Sequence, residues 1–305
     1  GEYVNDAHFD DPTPVLDELQ HVKQQLDVID QHCKQYSSQQ QLFGITVYNY
    51  KNQATAMENF DKQAQLWSMI SQWNDKFNEW MTSDFIDPDS GEVNIDVEEA
   101  NKDVQIYVKE SFGLHKKLTN SVSAKLKERT AEFKAKMPVV LELGNPSMKD
   151  RHWEKLFQDL NQTYSSGAPF TLKEMLDYGV LDHADAVSEQ SATATGEAQL
   201  EGTLEAIREG WDKANFTLNN HRDQEDVYVL GALDEIFLLL EDNQVTLQTM
   251  LGSRYIAGVH AEVEEWEKKL ALLSDTLDEW TACQKSWMYL ETIFGAPDIQ
   301  KQLPV

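Results

Sequence analysis

The sequence predicts a mainly α protein: an elongated array of antiparallel helical bundles with long connecting helices and one small β-hairpin. Three observations predict it. From Val259 to Phe294 a row of apolar side chains (Val259, Trp266, Leu273, Trp280, Trp287, Phe294) returns every seven residues, the mark of a helical stripe. A hydrophobic content of 41%, with eight Trp, supplies large apolar contacts for a bundle core. Between Phe216 and Leu230 the period changes, because two short apolar segments flank a polar turn, the pattern of a hairpin.

The seven-residue row has a companion offset by four: Val263, Leu270 and Leu277, turning polar at Gln284 and Glu291. Neither Pro nor Gly interrupts 259–294, so one helix about 54 Å long is expected at roughly 1.5 Å per residue. The loss of the second apolar row predicts that its last two turns leave a two-helix seam and meet a different surface.

The remaining elements follow in order. Residues 1–14 are acidic, Pro-containing and aperiodic, and read as a flexible arm without a core of its own. Val15, Leu19, Val22, Leu26 and Ile29 place a helix over about 14–41, broken at Leu42-Phe43-Gly44-Ile45. A second helix over 54–81 carries Phe60, Trp67, Ile70, Trp73, Phe77 and Trp80 on one side, a bundle core rather than a cofactor box. Asp87–Gly91 is a turn cluster. A helix starts near Val97, and Leu114, Leu118, Val122, Leu126, Phe133 and Met137 mark the next, which Pro138 should kink or end. Gly144-Asn145-Pro146 reads as helix end, N-cap and first residue of a helix through Arg151-His152-Trp153. Thr171-Leu-Lys-Glu174 has the spacing of a capping box, for a short helix ended by Gly179. Long helices follow over about 182–214 and 233–250. Three regions result: 1–14, the arm; 15–142, an N-terminal helical bundle; and 143–305, a C-terminal helical part with the hairpin at about 216–230 and the helix 259–294.

Charge narrows the functions. The formal net charge is −27, which argues against nucleic acid, whose phosphates require Lys and Arg, and against anionic membrane. Glu and Asp on this scale mainly solvate helix surfaces, or offer a face to a basic partner. Cys33 and Cys283 are the only cysteines, which points to a reducing compartment. Asn161-Gln-Thr163 and Asn215-Phe-Thr217 match glycosylation sequons without further support. There is no apolar run long enough for a membrane span and no apolar leader with a basic flank. Gly1 and the ending Leu303-Pro304-Val305 look like the cuts of a fragment.

Catalytic motifs are missing. No Gly-Lys-Ser/Thr phosphate loop, Gly-x-Gly dinucleotide turn, His-Glu-x-x-His or Cys/His zinc spacing occurs. One Glu-x-x-His, Glu18 to His21, stands alone where a di-iron bundle needs a pair. The acidic pairs Asp234-Glu235 and Glu241-Asp242 could do acid–base work, but on helices of so acidic a chain they read as solvated faces, caps or ion-pair partners. His152 beside Trp153 reads as a packed histidine. No metal or cofactor is expected.

From Leu143 to Pro304 an ordered set of motifs appears. It runs through Arg151-His152-Trp153, Phe170-Thr-Leu-Lys-Glu174, Glu197-x-x-Leu200-Glu201, Trp211, Phe216, Leu233-Asp234-Glu235-Ile236 and Leu240-Glu241-Asp242. Met250, Ser253, Tyr255 and Val263-x-x-Trp266 follow. It closes with Leu277-Asp-Glu-Trp280, Gln284-x-x-Trp287-x-Tyr-Leu-Glu291-x-Ile-Phe294, Asp298-Ile299 and Gln302-Leu-Pro304. This series resembles the linker region of dynein heavy chains, and the preceding half fits its helical N-terminal part more loosely. Leu42-Phe43-Gly44-Ile45 with Tyr50 resembles a segment typical of axonemal rather than cytoplasmic dyneins, with Thr46 where Pro is usual.

The resemblance implies a mechanical role, as a lever that arches over a ring of AAA+ modules in the same polypeptide and joins it to the cargo-bearing tail. Its partners would be that ring, the tail and its associated subunits, and the microtubule only indirectly. The hydrolytic residues would lie beyond Val305, so none is carried over onto this chain. A cytoplasmic, cytoskeletal setting in a cilium or flagellum follows. A lever also needs a weak place, and Gly295-Ala296-Pro297 is either a candidate hinge or simply the end of a helix; the hairpin is either a candidate docking element or a surface ornament. The alternative is a non-motor helical scaffold of the spectrin type, which would repeat a three-helix pattern and lack a hairpin.

Overall fold

The structure is a computed structural model, and it describes residues 6–87, 91–222, 224 and 226–302. Gly1–Asn5 of the acidic segment, Pro88–Ser90 of the turn cluster, Asp223 in the hairpin turn and Leu303-Pro304 of the closing motif lie outside the described residues. The described chain is mainly α, as the periodicity predicts, with ten α-helices and one two-stranded antiparallel sheet among these residues. It divides into two compact units, Gly1–Ser191 and Ala192–Val305.

The first unit contains α1 (Thr13–Leu42), α2 (Lys51–Thr82), α3 (Val97–Leu118), α4 (Ser121–Leu143), α5 (Asp150–Asp159) and α6 (Leu172–Asp177). Its core grows from the aromatic stripe of α2. Trp67, Ile70, Trp73 and Trp80 are buried, each worth about 1.5–3 kcal/mol or more against exposure. Trp73 meets Tyr107 and Phe133 edge-on, with ring centroids 5.4 and 6.0 Å apart, and Trp80 stacks on Phe133 at 5.7 Å. The acidic N-terminal segment has no core of its own but borrows this one. Phe9 is buried, its carbonyl accepts from Asn74 Nδ2 at 2.6 Å, and Lys125 Nζ lies over its ring.

Three local expectations need correction. The stripe Leu114–Met137 belongs to two helices rather than one, because Thr119 adopts a left-handed conformation (φ 36°) and α4 starts afresh after Asn120. Asn120 Oδ1 accepts from the Ser123 amide at 2.8 Å, a cap that needs neither Gly nor Pro. Of the two outcomes expected at Pro138, a kink or an end, the end does not occur, since α4 continues to Leu143. Pro138 sits on the exposed side, where water can take up the carbonyl its missing N–H leaves free. Asn145 is not an N-cap, since α5 begins at Asp150. Its Oδ1 accepts from the Ser147 amide at 2.9 Å, while Nδ2 donates to Ser191. By contrast Thr171 and Glu174 form the expected capping box before α6, and Gly179 follows with φ 81°.

The helix α7 (Ala184–Lys213) spans the boundary between the units in sequence. The second unit adds β1 (Leu218–Asn220), β2 (Tyr228–Leu230), α8 (Asp234–Leu251), α9 (His260–Phe294) and α10 (Pro297–Gln302). Its core joins Leu204 and Ile207 of α7, Ile236, Leu240, Leu247 and Met250 of α8, and Val263, Leu270 and Leu277 of α9. The two apolar rows of α9 therefore have unequal roles. Val263, Leu270 and Leu277, the shorter row, are 0%, 2% and 4% exposed. The seven-residue row runs outward instead, from buried Val259 through half-buried Trp266 and Leu273 to Trp280 at 56% and Phe294 at 55% exposure.

Candidate functional site: a hairpin clasped to the long helix

Seven-residue spacing places Leu277, Gln284 and Glu291 on one side of α9. Up to Leu277 that side packs in the core. Beyond it, the two polar members hold the β-hairpin. The Leu230 amide donates to Gln284 Oε1 at 2.8 Å, and Gln284 Nε2 donates to the Leu230 carbonyl at 3.0 Å. One side-chain amide thus satisfies both outward groups of the last residue of β2, as a neighbouring strand would. One further helical repeat on, Glu291 Oε2 lies 2.6 Å from His221 Nε2 in the turn. Arg222 places Nη2 3.4 Å from the same oxygen and donates to Thr292 Oγ1 at 3.0 Å. Trp287, between the two polar anchors, holds its ring 4.9 Å from His221.

The hairpin itself is short. Leu218, Asn219 and Asn220 pair with Leu230, Val229 and Tyr228, and the register is continued by the His221 amide to Val227 O at 2.8 Å and the Gly231 amide to Thr217 O at 2.7 Å. A two-stranded ribbon of this length is marginal alone, so the bonds to α9 decide where it lies. His221 is only 3% exposed, and Arg222 takes a positive φ of 52°, an uncommon conformation held by its contacts with α9. Between hairpin and helix runs an open apolar groove of about 670 Å³, lined among others by Val227, Val229, Trp280, Cys283 and Trp287.

The other signature residues are spread over both units. Arg151, His152 and Trp153 open α5, with Arg151 on the surface and the other two buried. His152 Nδ1 accepts from the Lys149 amide at 3.0 Å, which begins the helix. Trp153 meets Phe170 at 5.2 Å and Phe85 at 6.2 Å, edge-on, in an aromatic cluster with Phe157. Beside it Asp150 accepts from Ser166 Oγ and, at 2.8 Å, from Tyr164 Oη. These bonds, the one from Ser166 first, hold the Asp150 carboxyl below the usual aspartate value. Burial, then the bond to Asp150, pushes the Tyr164 hydroxyl up.

Asp234 and Glu235 lie exposed in the first turn of α8, where negative charge suits the helix N-terminus, and Glu241 and Asp242 are exposed further along. Trp266 is half-buried with Lys269 Nζ 5.5 Å from its ring centroid. Gly295 caps α9 in an ordinary helical conformation, and α10 starts at Pro297. Thus the structure brings together Trp280, Trp287 and Glu291, and keeps the acidic pairs apart from them. Sequence reasoning missed His221, Arg222 and the bond-forming role of Gln284. The available signal was the switch from Leu277 to Gln284 within one row. Among the described residues no helix is long and apolar enough to cross a membrane.

The polar cluster described above joins the β-hairpin to α9 within the second unit. The comparisons are more specific. Residues 54–305 match the family described as Dynein heavy chain, N-terminal region 2. The chain is 36% identical over 294 residues to Dynein axonemal heavy chain 6 of Homo sapiens, covering 95% of this chain and 7% of that protein. It is 30% identical over 291 residues to Dynein axonemal heavy chain 1 of Mus musculus, covering 95% and 7%. It is also 29% identical over 309 residues to the Dynein-1-beta heavy chain, flagellar inner arm I1 complex, of Chlamydomonas reinhardtii, covering 99% and 7%. The chain belongs to the dynein heavy chain family, in its N-terminal region. It spans about 7% of the length of these relatives.

Proposed function

We propose that this region is the linker of an axonemal dynein motor, a lever that passes nucleotide-driven movement of an AAA+ ring in the same heavy chain to the tail and its associated subunits. The region contacts microtubules only through the rest of the motor, works in the axoneme of a cilium or flagellum, and has no catalytic activity of its own. The observation that carries the reading is α9. It is an unbroken helix of 35 residues, about 52 Å long, packed on α8 along its first half and clasped by the hairpin along its second. Force applied at one end of such an element is delivered at the other, because bending it would open bonds at Leu230 and His221. Its last turns, with Trp280, Trp287, Tyr289, Leu290 and Phe294 exposed, suit burial against further helices of the same heavy chain.

The test uses the full-length heavy chain with fluorophores at Asp275 on α9 and on the ring. Energy transfer should change between the nucleotide-free and ATP–vanadate states; a constant efficiency would overturn the lever. ATP turnover by residues 1–305 alone should equal the buffer background, and sustained hydrolysis would overturn the assignment of catalysis elsewhere. Within the lever, Gly295-Ala296-Pro297 is the proposed hinge, lying between the end of α9 and the start of α10. Unchanged backbone angles there in cryo-EM structures of the two states would refute it.

A further inference from the structure

The segment before α1 lies on the first unit in a way that a helical lever does not require. Asp6 and Asp10, four residues apart, face Lys125 and Arg129, four residues apart on α4, at 3.9 and 4.0 Å. The segment therefore runs alongside α4 in the same direction. Its 3-10 turn, Asp6–His8, keeps the carboxylates in step with the helix, since four residues advance about 8 Å in one and about 6 Å in the other. Between the two acidic residues Phe9 enters the bundle. It is 1% exposed, its carbonyl accepts from Asn74 Nδ2 at 2.6 Å, and Lys125 Nζ stands 4.8 Å from its ring centroid.

This seat is specific but shallow. Within residues 6–11 only Phe9 is buried. Both ion pairs sit at the outer limit of contact with their carboxylates exposed, so they hold weakly and are screened by salt. A cavity of about 180 Å³ opens where the segment crosses α2 and α4, lined among others by Asp10, Phe77, Arg129 and Lys136. The seam there forfeits contacts that a close-packed core would make. From Pro12 onward the chain is fixed differently. Pro12, Val15 and Leu19 are buried, and α1 starts at Thr13, whose amide donates to Asp11 Oδ1 at 3.2 Å.

The contacts of residues 6–11 are arranged in sequence, so a pull from the N-terminal side reaches them one at a time. Asp6 leaves Lys125 first, and Phe9 and Asp10 follow with the bond from Asn74. Opening then stops at Pro12, because going further would strip the buried side chains of a 30-residue helix that share the load. The released length is the reach of six residues, about 2 nm.

From this arrangement we infer that residues 6–11 are a release strap. At rest the strap holds the incoming chain against α4 and α2. Under load it peels to Pro12 and lengthens the connection by about 2 nm, while the helices beneath keep their packing. The inference goes beyond the lever and rests on that reading only for the source of the load.

Two measurements on the full-length heavy chain test it. The first, without load, follows hydrogen exchange by mass spectrometry at the Phe9 amide, which donates to the Asp6 carbonyl at 3.1 Å. Its exchange should quicken about threefold to tenfold in Arg129→Glu, the scale of losing an exposed ion pair and reversing its sign, while peptides covering Leu66–Trp73 exchange as in the native chain. The second holds the chain in an optical trap between handles on p-azidophenylalanine at Asn5 and Glu128. A reversible lengthening of no more than about 2 nm should precede any unfolding step, and Phe9→Ala should remove it. The strap is overturned by exchange at Phe9 that ignores Arg129→Glu, by protection lost at Leu66–Trp73 together with Phe9, by the absence of a reversible step, or by a step that survives Phe9→Ala. Neither readout involves the ring, so the lever can fail its energy-transfer test with the strap intact, and the strap can fail with the lever intact.

Discussion

Gln284 and Leu230 meet through both ends of one side-chain amide, which accepts from the backbone N–H at 2.8 Å and donates to the backbone C=O at 3.0 Å. The amide occupies the position that a third strand would take, so a helix completes the edge of a sheet. Leu230 is only partly buried, and losing two hydrogen bonds here costs about 1–3 kcal/mol, at 0.5–1.5 kcal/mol each. Gln284→Leu would restore the apolar row of α9 while leaving Leu230 unpaired. Amide hydrogen exchange at Leu230 should then accelerate by roughly one to two orders of magnitude. Unchanged protection would show that the clasp contributes nothing.

The second anchor is Glu291 with His221. Glu291→Ala leaves a buried imidazole without its carboxylate and removes the contact to Arg222, a loss of about 1–3 kcal/mol. Because Arg222 holds a strained backbone only against α9, residues 221–222 should become susceptible to proteolysis in the variant before the core does. A limited-digestion time course checks this order.

Close approach provides a third test, away from the hairpin. A Cβ at Gly196 of α7 would lie 2.2–2.8 Å from carbon atoms of the Tyr255 ring. Gly196→Ala therefore pushes on a ring packed near the start of α9, and overpacking of this kind costs about 1–3 kcal/mol. The helix-propensity gain of about 1 kcal/mol from replacing Gly with Ala works in the opposite direction. Net destabilisation in urea is expected, and pairing the change with Tyr255→Ala should relieve it.

The loop after α5 has its own pH dependence. The folded-state pKa of Asp150 lies below its ordinary value, so its contribution is present above about pH 4 and is lost as pH falls through the lowered value. Tyr164 shifts the other way, so its contribution is complete below about pH 10 and disappears only as pH rises through the raised value. The bond between them should persist across the whole neutral range. NMR shifts of the Tyr164 ring should stay flat from pH 5 to 9 in the native chain and lose their acid-limb transition in Asp150→Asn.

Where side chains repeat with one period and one environment, the sequence was a sufficient guide. Trp67, Ile70, Trp73 and Trp80 of the α2 stripe are buried as their spacing requires, with Phe60 and Phe77 half-buried beside them, and Thr171 and Glu174 cap α6 through a pattern only four residues long. Failures occurred where a local bond interrupted a continuing period. Leu114, Leu118, Val122 and Leu126 keep helical spacing across the break at Thr119-Asn120, since residues on either side of a helical turn can share one core. Asn145 looks like a cap in sequence, yet its amide is drawn to Ser191, a partner that only folding brings near.

Period and polarity are local properties, so they already specify that the chain is helical, where most of its long helices lie, and that the environment of α9 changes at Gln284. Packing between elements settles which apolar row of α9 is buried, and brings His221 to Glu291 from 70 residues away with Arg222 beside it. Two rows of similar hydrophobicity cannot be ranked from their spacing. The choice belongs to α8, which covers the Val263–Leu277 side, and to a hairpin too short to hold its place without the helix it clasps.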